Sequence, residues 1–221
     1  MNSININPIY QDDYALDEAF KTIRTNIMFC SHDTKVISIT SCDSGEGKST
    51  ISFAVAKSLA CADKRVLYID ADMRKSVFAS KYTDQADIPG LSHFLSGQAN
   101  IGDVIFKTNT DNLFVIFSGI YPPNPAELLA NDLFQELISE ARDNFDYIII
   151  DTPPLGLVSD ATSCIAYSDG AIMLVTSELT SLKHAKELKK SIENTGTKLI
   201  GCVINKLRRA RGKYYYYNYK K

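Results

Sequence analysis

VISITSCDSGEGKST, running from Val36 to Thr50, joins three features in order: a β-branched apolar run, a loop with Gly45 and Gly47, and a lysine with a small hydroxyl residue opening an apolar helix. A strand that is apolar almost throughout is covered on both faces, as in a parallel sheet. The glycines let backbone N–H groups turn inward on an anion, and the helix amino end adds its positive dipole. That strand, loop and helix order is the context of a phosphate-binding P-loop. Lys48 then reaches the β and γ phosphates, the Ser49 hydroxyl coordinates magnesium, and Ser44, Gly45, Glu46, Gly47 and Thr50 complete the nucleotide-binding loop. The usual pattern has glycine six residues before the lysine, where this chain has Cys42. The bland alternative is a strand-to-helix turn rich in small residues.

Outward from this loop, Lys35 to Thr40, Arg65 to Ile69, Leu113 to Phe117, Asp146 to Ile150, Gly170 to Val175 and Lys198 to Ile204 read as strands, with helical segments between most of them. Such crossovers predict an α/β fold, a doubly wound, mostly parallel sheet with helices on both faces. Asn124-Pro125-Ala126-Glu127 predicts a capped helix running to about Arg142, and the helix from Ser49 to Ala62 is expected to be buried. Asp160 and Ser181 are expected caps for two later helices, with Gly196 stopping the second. A helix over about residues 14–29 precedes the first strand. The chain divides into an α/β unit over 1–206 and a basic, tyrosine-rich tail over 207–221.

In such sheets sites form beyond the strands' carboxyl ends, where two acidic groups fall. Asp151 follows Tyr147 to Ile150, the position at which a P-loop enzyme holds magnesium, although a lone aspartate there is also a common turn former. Asp70 and Asp72 close the strand Val66 to Ile69, and alternate residues of extended chain point the same way. One of the pair can accept a proton while the other steadies the metal; the alternative is a solvated turn. Asn205, after the last strand, is the candidate for reading the adenine edge.

Apolar residues make up 45% and charged residues 23%, which argues against a disordered or fibrous chain, and the net charge of −2 supplies no global pull toward nucleic acid. No apolar stretch reaches the ~18 to 20 residues of a membrane span, so a cytoplasmic protein is expected. Five scattered cysteines without a CxxC pair disfavour disulfides and zinc. Cys30, Cys61, Cys164 and Cys202 are expected to be core or near-core thiols, and Cys42 an oxidisable one.

The set SGEGKS, DADMR, IIIDTPP and SGIYPPNPAELL, with the tyrosine-rich end, resembles the bacterial tyrosine kinases of capsule and exopolysaccharide synthesis from about Tyr14 onward. The resemblance implies a cytoplasmic autokinase that uses ATP and Mg2+, with Lys48, Asp70 and Asp72 catalytic, Asp70 as proposed base, and Asp72 also beside Ser49 and Asp151 at the metal. It makes Tyr214, Tyr215, Tyr216, Tyr217 and Tyr219 the phosphorylated residues, reached in trans within an oligomer. From the residues alone, that tail could equally be an aromatic patch packing on a neighbour. Glu18, Lys21 and Arg24 share one side of the early helix at three-residue spacing. The family uses a glutamate and two arginines so spaced for ring-like self-assembly; here Lys21 replaces the first arginine, which keeps the charge but loses the planar fork. The row can also be an ordinary solvated face. Implied partners are other copies of the chain, a membrane-anchored polysaccharide chain-length regulator that activates the kinase and recruits it to the inner membrane face, and a cognate tyrosine phosphatase; nucleic acid is not among them.

Two other readings compete. A partitioning or division-site ATPase switch shares this class of loop, but has a lysine where Asp43 stands and lacks an arginine at the place of Arg74. A non-catalytic adaptor would sense nucleotide and bind a partner with its aromatic end; retention of Lys48, Ser49, Asp70, Asp72 and Asp151 argues against it.

Overall fold

Strands without a solvent face need cover on both sides, and the structure meets that need with a single sheet between two helical layers. The structure is a computed structural model that describes residues 2–9, 13–30, 33–156, 160–177 and 179–207. In chain order its elements are β1 (Asn2–Ile4), α1 (Tyr14–Cys30), β2 (Val36–Ser41), α2 (Lys48–Ala60), β3 (Val66–Asp70), α3 (Phe78–Tyr82), α4 (Leu91–Leu95), α5 (Ile101–Val104), β4 (Phe106–Thr108) and β5 (Leu113–Ile116). There follow α6 (Pro125–Leu129), α7 (Asp132–Asn144), β6 (Tyr147–Asp151), α8 (Asp160–Ala166), β7 (Gly170–Thr176), α9 (Leu182–Asn194) and β8 (Lys198–Asn205). The sheet order is β1-β4-β5-β3-β6-β2-β7-β8, parallel throughout except between β4 and β5.

β3 shows how one strand feeds both layers. Val66 and Tyr68 enter the layer that contains Phe53, Leu59, Phe78 and Phe117, whereas Leu67 and Ile69 enter the layer of Phe134, Leu137 and Ile138. Phe78 stands 4.9 Å from Phe53, 5.0 Å from Tyr68 and 5.9 Å from Phe117, measured between ring centroids. That cluster fastens α3, and so the loop after β3, onto α2 and the sheet.

All six predicted strands are present, with ends shifted by a residue. β1 and β4 were not predicted: each has three residues, too few to show a period, and they pair at the sheet margin. The helix predicted from Asn124 to about Arg142 is two helices, because Asn131 leaves helical geometry and its side-chain oxygen accepts the Leu133 N–H at 3.3 Å, capping α7. Asn124 makes no side-chain cap bond to the backbone and donates instead to Glu127 at 2.7 Å. Ser181 does cap α9, accepting from the His184 N–H, and Gly196 follows it with φ +82°. α8 begins at Asp160 itself, whose carboxylate is taken by Arg74.

The cysteine expectation also needs correction. Cys61 and Cys202 are exposed, the one closing α2 and the other on the edge strand β8, where alternate side chains lose their cover. Cys164 is buried, Cys30 half-buried. Cys42 is buried too, and burial, then the Glu46 charge, pushes its thiol up to about 11, which keeps it protonated and opposes oxidation.

One carboxylate ties the start of the central strand to both flanks. Asp169 accepts the Lys35 N–H at 2.9 Å and the Val36 N–H at 2.8 Å, and receives both arms of the Arg142 guanidinium at 2.8 and 2.9 Å. Burial alone would raise its pKa, but Arg142 and the two N–H donors outweigh it and the net direction is down. A carboxylate whose pKa is lowered by folding stabilises above its unfolded value, about 4, and loses that contribution as pH falls through the folded value. Asp169→Asn is therefore expected to cost about 1 to 3 kcal/mol at neutral pH. In urea titrations, the gap between wild type and variant should hold from about pH 8 to 5 and close below about pH 4.

Candidate functional site

The parallel strands bring β2, β3 and β6 to the same edge of the sheet, with β6 between the other two. Asp70 and Asp151 are register partners across β3 and β6, and Ile39 of β2 faces Asp151 from the other side. The loop from Cys42 to Gly47 follows β2, and Gly47, at φ +93°, caps α2 in a conformation that L side chains resist. A Cβ there would also stand 2.5 Å from the Asn205 amide nitrogen.

At the centre Lys48, nearly buried, places its ammonium 2.9 Å from Asp151 Oδ1. Burial disfavours the charged amine, yet Asp151 more than compensates and the net direction of the Lys48 pKa is up. The other Asp151 oxygen accepts the Tyr68 hydroxyl at 3.3 Å. Burial, then Asp151, holds the Tyr68 pKa well above its ordinary value, so it remains a neutral donor. Asp70 is fully buried, and burial followed by the Asp151 charge pushes its pKa up to about 7, against the pull of the Ser76 hydroxyl and Lys48. Its oxygens receive the Ser76 hydroxyl and the Asp72 N–H.

Asp72 is at once a turn former and a site residue. Its Oδ1 accepts the N–H groups of Arg74 at 3.2 Å and Lys75 at 3.1 Å, which is the turn-forming behaviour of a short acidic side chain, while Oδ2 takes part in no hydrogen bond among the described residues. Arg74 then reaches across to Asp160 with two bonds, of 2.6 and 3.0 Å, fixing this loop against α8. Ser49 is half-buried at the first turn of α2. Its hydroxyl with the Asp72 and Asp151 carboxylates offers hard oxygen donors of the kind a divalent cation takes.

The remaining loop residues divide. Ser44 and Gly45 are exposed at the rim, and Thr50 shares a 3.0 Å hydrogen bond with Tyr82. Glu46 points inward, where its carboxylate accepts the Asp43 N–H at 3.0 Å and the Thr180 hydroxyl at 2.6 Å. The Asn205 amide donates to the Glu46 carbonyl at 2.7 Å, and Lys206 to the Gly45 carbonyl at 3.0 Å. The loop is thus clamped from the ends of β7 and β8.

Of the row expected to serve oligomerisation, Glu18 and Lys21 pair with each other at 2.7 Å on α1, and Arg24 turns to the Ser58 carbonyl of α2 at 2.9 Å. Tyr214 to Tyr217 and Tyr219 lie outside the described residues. Sequence reasoning missed Tyr68, Ser76 and Thr180. A phenol inside a buried strand must find an acceptor, so Tyr68 had a signal; two isolated hydroxyl residues carried none. Tyr68→Phe is expected to lower stability by about 1 to 3 kcal/mol through the unsatisfied Asp151 oxygen. A urea midpoint equal to that of the wild type would show that Lys48 alone satisfies Asp151.

Comparison with known proteins adds to this geometry. Residues 34–203 match the AAA domain family. The chain is 42% identical over 191 residues to the tyrosine-protein kinase CpsD of Streptococcus agalactiae, covering 86% of this chain and 83% of that one. It is 34% identical over 219 residues to the putative tyrosine-protein kinase CapB of Staphylococcus aureus, covering 97% and 96%. Among solved structures, the chimerical protein CapA2B2 superposes with a TM-score of 0.84 at 34% identity, covering 94% of each chain.

Proposed function

The chain belongs to the bacterial tyrosine-protein kinases, and on that premise we propose that it transfers the γ-phosphoryl group of ATP to its own terminal tyrosines, Tyr214, Tyr215, Tyr216, Tyr217 and Tyr219, in the control of capsule or exopolysaccharide synthesis. The observation that carries this reading is the meeting of Asp70, Asp72 and Asp151 with Lys48 beside a phosphate loop.

Three carboxylates against one ammonium leave a surplus of negative charge in a place where burial removes most of the solvent that would screen it. That surplus fits Mg2+, for which Ser49, Asp72 and Asp151 are the proposed protein donors. Among the described residues no group of three acidic, His or Cys side chains could hold a metal ion by itself, so the proposed site also takes the Ser49 hydroxyl and the substrate's own phosphate oxygens as ligands. When bound, the ion neutralises charge on the β and γ phosphates.

Lys48 adds to that neutralisation by exchanging its Asp151 contact for phosphate oxygens, and the backbone N–H groups around Gly45 and Gly47 hold the phosphates in line. The acceptor phenol oxygen attacks the γ-phosphorus, the bond from that phosphorus to the ADP oxygen breaks, and the phenol proton passes to the Asp70 carboxylate. A phenol with a pKa of about 10 gains from that acceptor, although most of the acceleration in this chemistry comes from positioning and charge. Asn205 can read the adenine edge by trading the Glu46 carbonyl for the base.

No helix among the described residues is long and apolar enough to cross a membrane. The family resemblance is what supports assigning membrane recruitment to a membrane-anchored polysaccharide chain-length regulator that also activates the kinase, self-assembly to the row of Glu18, Lys21 and Arg24, and removal of phosphate to a cognate tyrosine phosphatase. In this reading the protein works at the cytoplasmic face.

The test uses the full chain with magnesium and labelled ATP, joined where needed by its partner's cytoplasmic segment, followed by mapping of the label. Label should fall on the terminal tyrosines and vanish in Lys48→Met. Asp70→Asn should cut the rate by roughly 10²- to 10⁴-fold while keeping Mg·ADP binding. Hydrolysis without any tyrosine label would overturn the kinase assignment in favour of a switch.

A further inference from the structure

α9 is the crossover between β7 and β8, and it buries Leu188 and Ile192 beside Ala171 and Met173 of β7. Lys190 stands two residues from each of those apolar anchors, about 200° around the helix, and so points away from the core. Lys183 and Lys186 fall with it inside about 60° of arc, and the three lysines line one open groove with Leu182 and Glu187. All three are exposed, Lys183 by 83% of its side chain.

Helix stability does not call for this row. Lys183 lies in the first turn, where the positive end of the helix dipole repels a cation, and the last turn, where cations are favoured, holds none. Lys186 and Lys190 are like charges at i,i+4, a spacing that destabilises a helix. Neither pairs with a carboxylate among the described residues, and Lys183 reaches Glu187 only at 4.0 Å. Two leucines stand open at the same end: Leu182 is 72% exposed, and Leu179, in the turn before the helix, 73%. We propose that this face is a direct membrane contact, in which the lysine row meets anionic phospholipid headgroups while Leu179 and Leu182 enter the boundary with the acyl chains. The contact goes beyond phosphoryl transfer and does not depend on it.

Charge and residue type select that occupant. The chain carries −2 overall, so only a local patch draws it to an anionic surface, and it does so with one side turned to the lipid. α9 holds four lysines and no arginine. A lysine keeps its ammonium among headgroups while its stem lies along apolar surface, whereas a reader of nucleic acid gains from the planar fork of arginine. Exposed leucines beside the cations gain nothing from a phosphate backbone in water, but they do gain from acyl chains. Thr180 lies between the two leucines, and its hydroxyl donates to the Glu46 carboxylate of the phosphate loop at 2.6 Å. The end of α9 that enters the lipid is therefore the end next to the nucleotide site. Each lysine near an anionic surface strengthens partition about fivefold, so three of them give a reversible contact that salt weakens.

The experiment sediments the full-length chain with vesicles of phosphatidylcholine, alone or mixed with phosphatidylglycerol. Wild type should sediment with the mixed vesicles, stay in solution with the neutral ones, and be released as salt is raised. Lys186→Gln combined with Lys190→Gln should weaken the partition about tenfold or more. Its urea midpoint should hold or rise, because a like-charge pair has gone, so the loss cannot be ascribed to unfolding. Leu179→Ser combined with Leu182→Ser should weaken the partition as well. The chain has no tryptophan, so Leu182→Trp places a single indole at the contact. Its emission should move to the blue on mixed vesicles and be quenched by lipids brominated on the acyl chains. Equal sedimentation with neutral and mixed vesicles overturns the proposal. Undiminished binding by the double lysine variant does the same, because the cations that follow β8 then carry it. An indole emission that vesicles leave unchanged also overturns it, as does lysine-dependent binding to duplex DNA in place of vesicles. None of these readouts uses ATP or a tyrosine label, so failure of the kinase reading is a separate outcome.

Discussion

The contact between Lys48 and Asp151 sets the terms for the rest of the molecule. Two charges have been taken out of water at the tips of buried strands, and neither can remain there alone without a cost of several kcal/mol. Their attraction offsets that cost only if the surrounding groups satisfy the remaining lone pairs. Tyr68 does so for Asp151, and its ring is held in turn by Phe53 and Phe78. The aromatic layer beneath the sheet therefore acts on the site directly: it fixes the phenol that fixes the carboxylate.

The same constraint shapes the resting state. Lys48 lies against a carboxylate, and Asp70, next to Asp151 in register, is pushed toward its neutral form by burial and by that neighbour. In the proposed reading, this excess of acid is relieved by positive charge that arrives with the nucleotide. The clamp on the phosphate loop is of a different kind. Thr180 holds it through the Glu46 carboxylate, and Asn205 and Lys206 through the Glu46 and Gly45 carbonyls, all from the far edge of the sheet, so the loop's shape depends on the order of β7 and β8.

Much of this was legible before any coordinates. Val36 to Ser49 carries strand, loop and helix in one uninterrupted stretch, and the apolar strands ending in Asp70 and Asp151 show no solvent face, which only a covered parallel sheet explains. The misreadings have physical causes. Asn131 looked like an interior helix residue because propensity says little about a side chain that prefers to cap its own backbone. Cys202 read as core because β8 is apolar enough for a central strand, yet it has a neighbour on one side only.

By itself the sequence determined where strand, glycine loop and helix follow one another and which strands end in carboxylates, since both are written as local patterns of period and spacing. Which groups those carboxylates touch was decided only by the tertiary structure. Asp151 with Lys48 and Tyr68, Asp70 with Ser76, Arg74 with Asp160 and Glu46 with Thr180 are pairings in which, Asp70 and Ser76 apart, the partners stand far apart along the chain. Hydrogen bonds and charge are satisfied by whatever the sheet order brings alongside, and that order is a property of the packed layers as a whole.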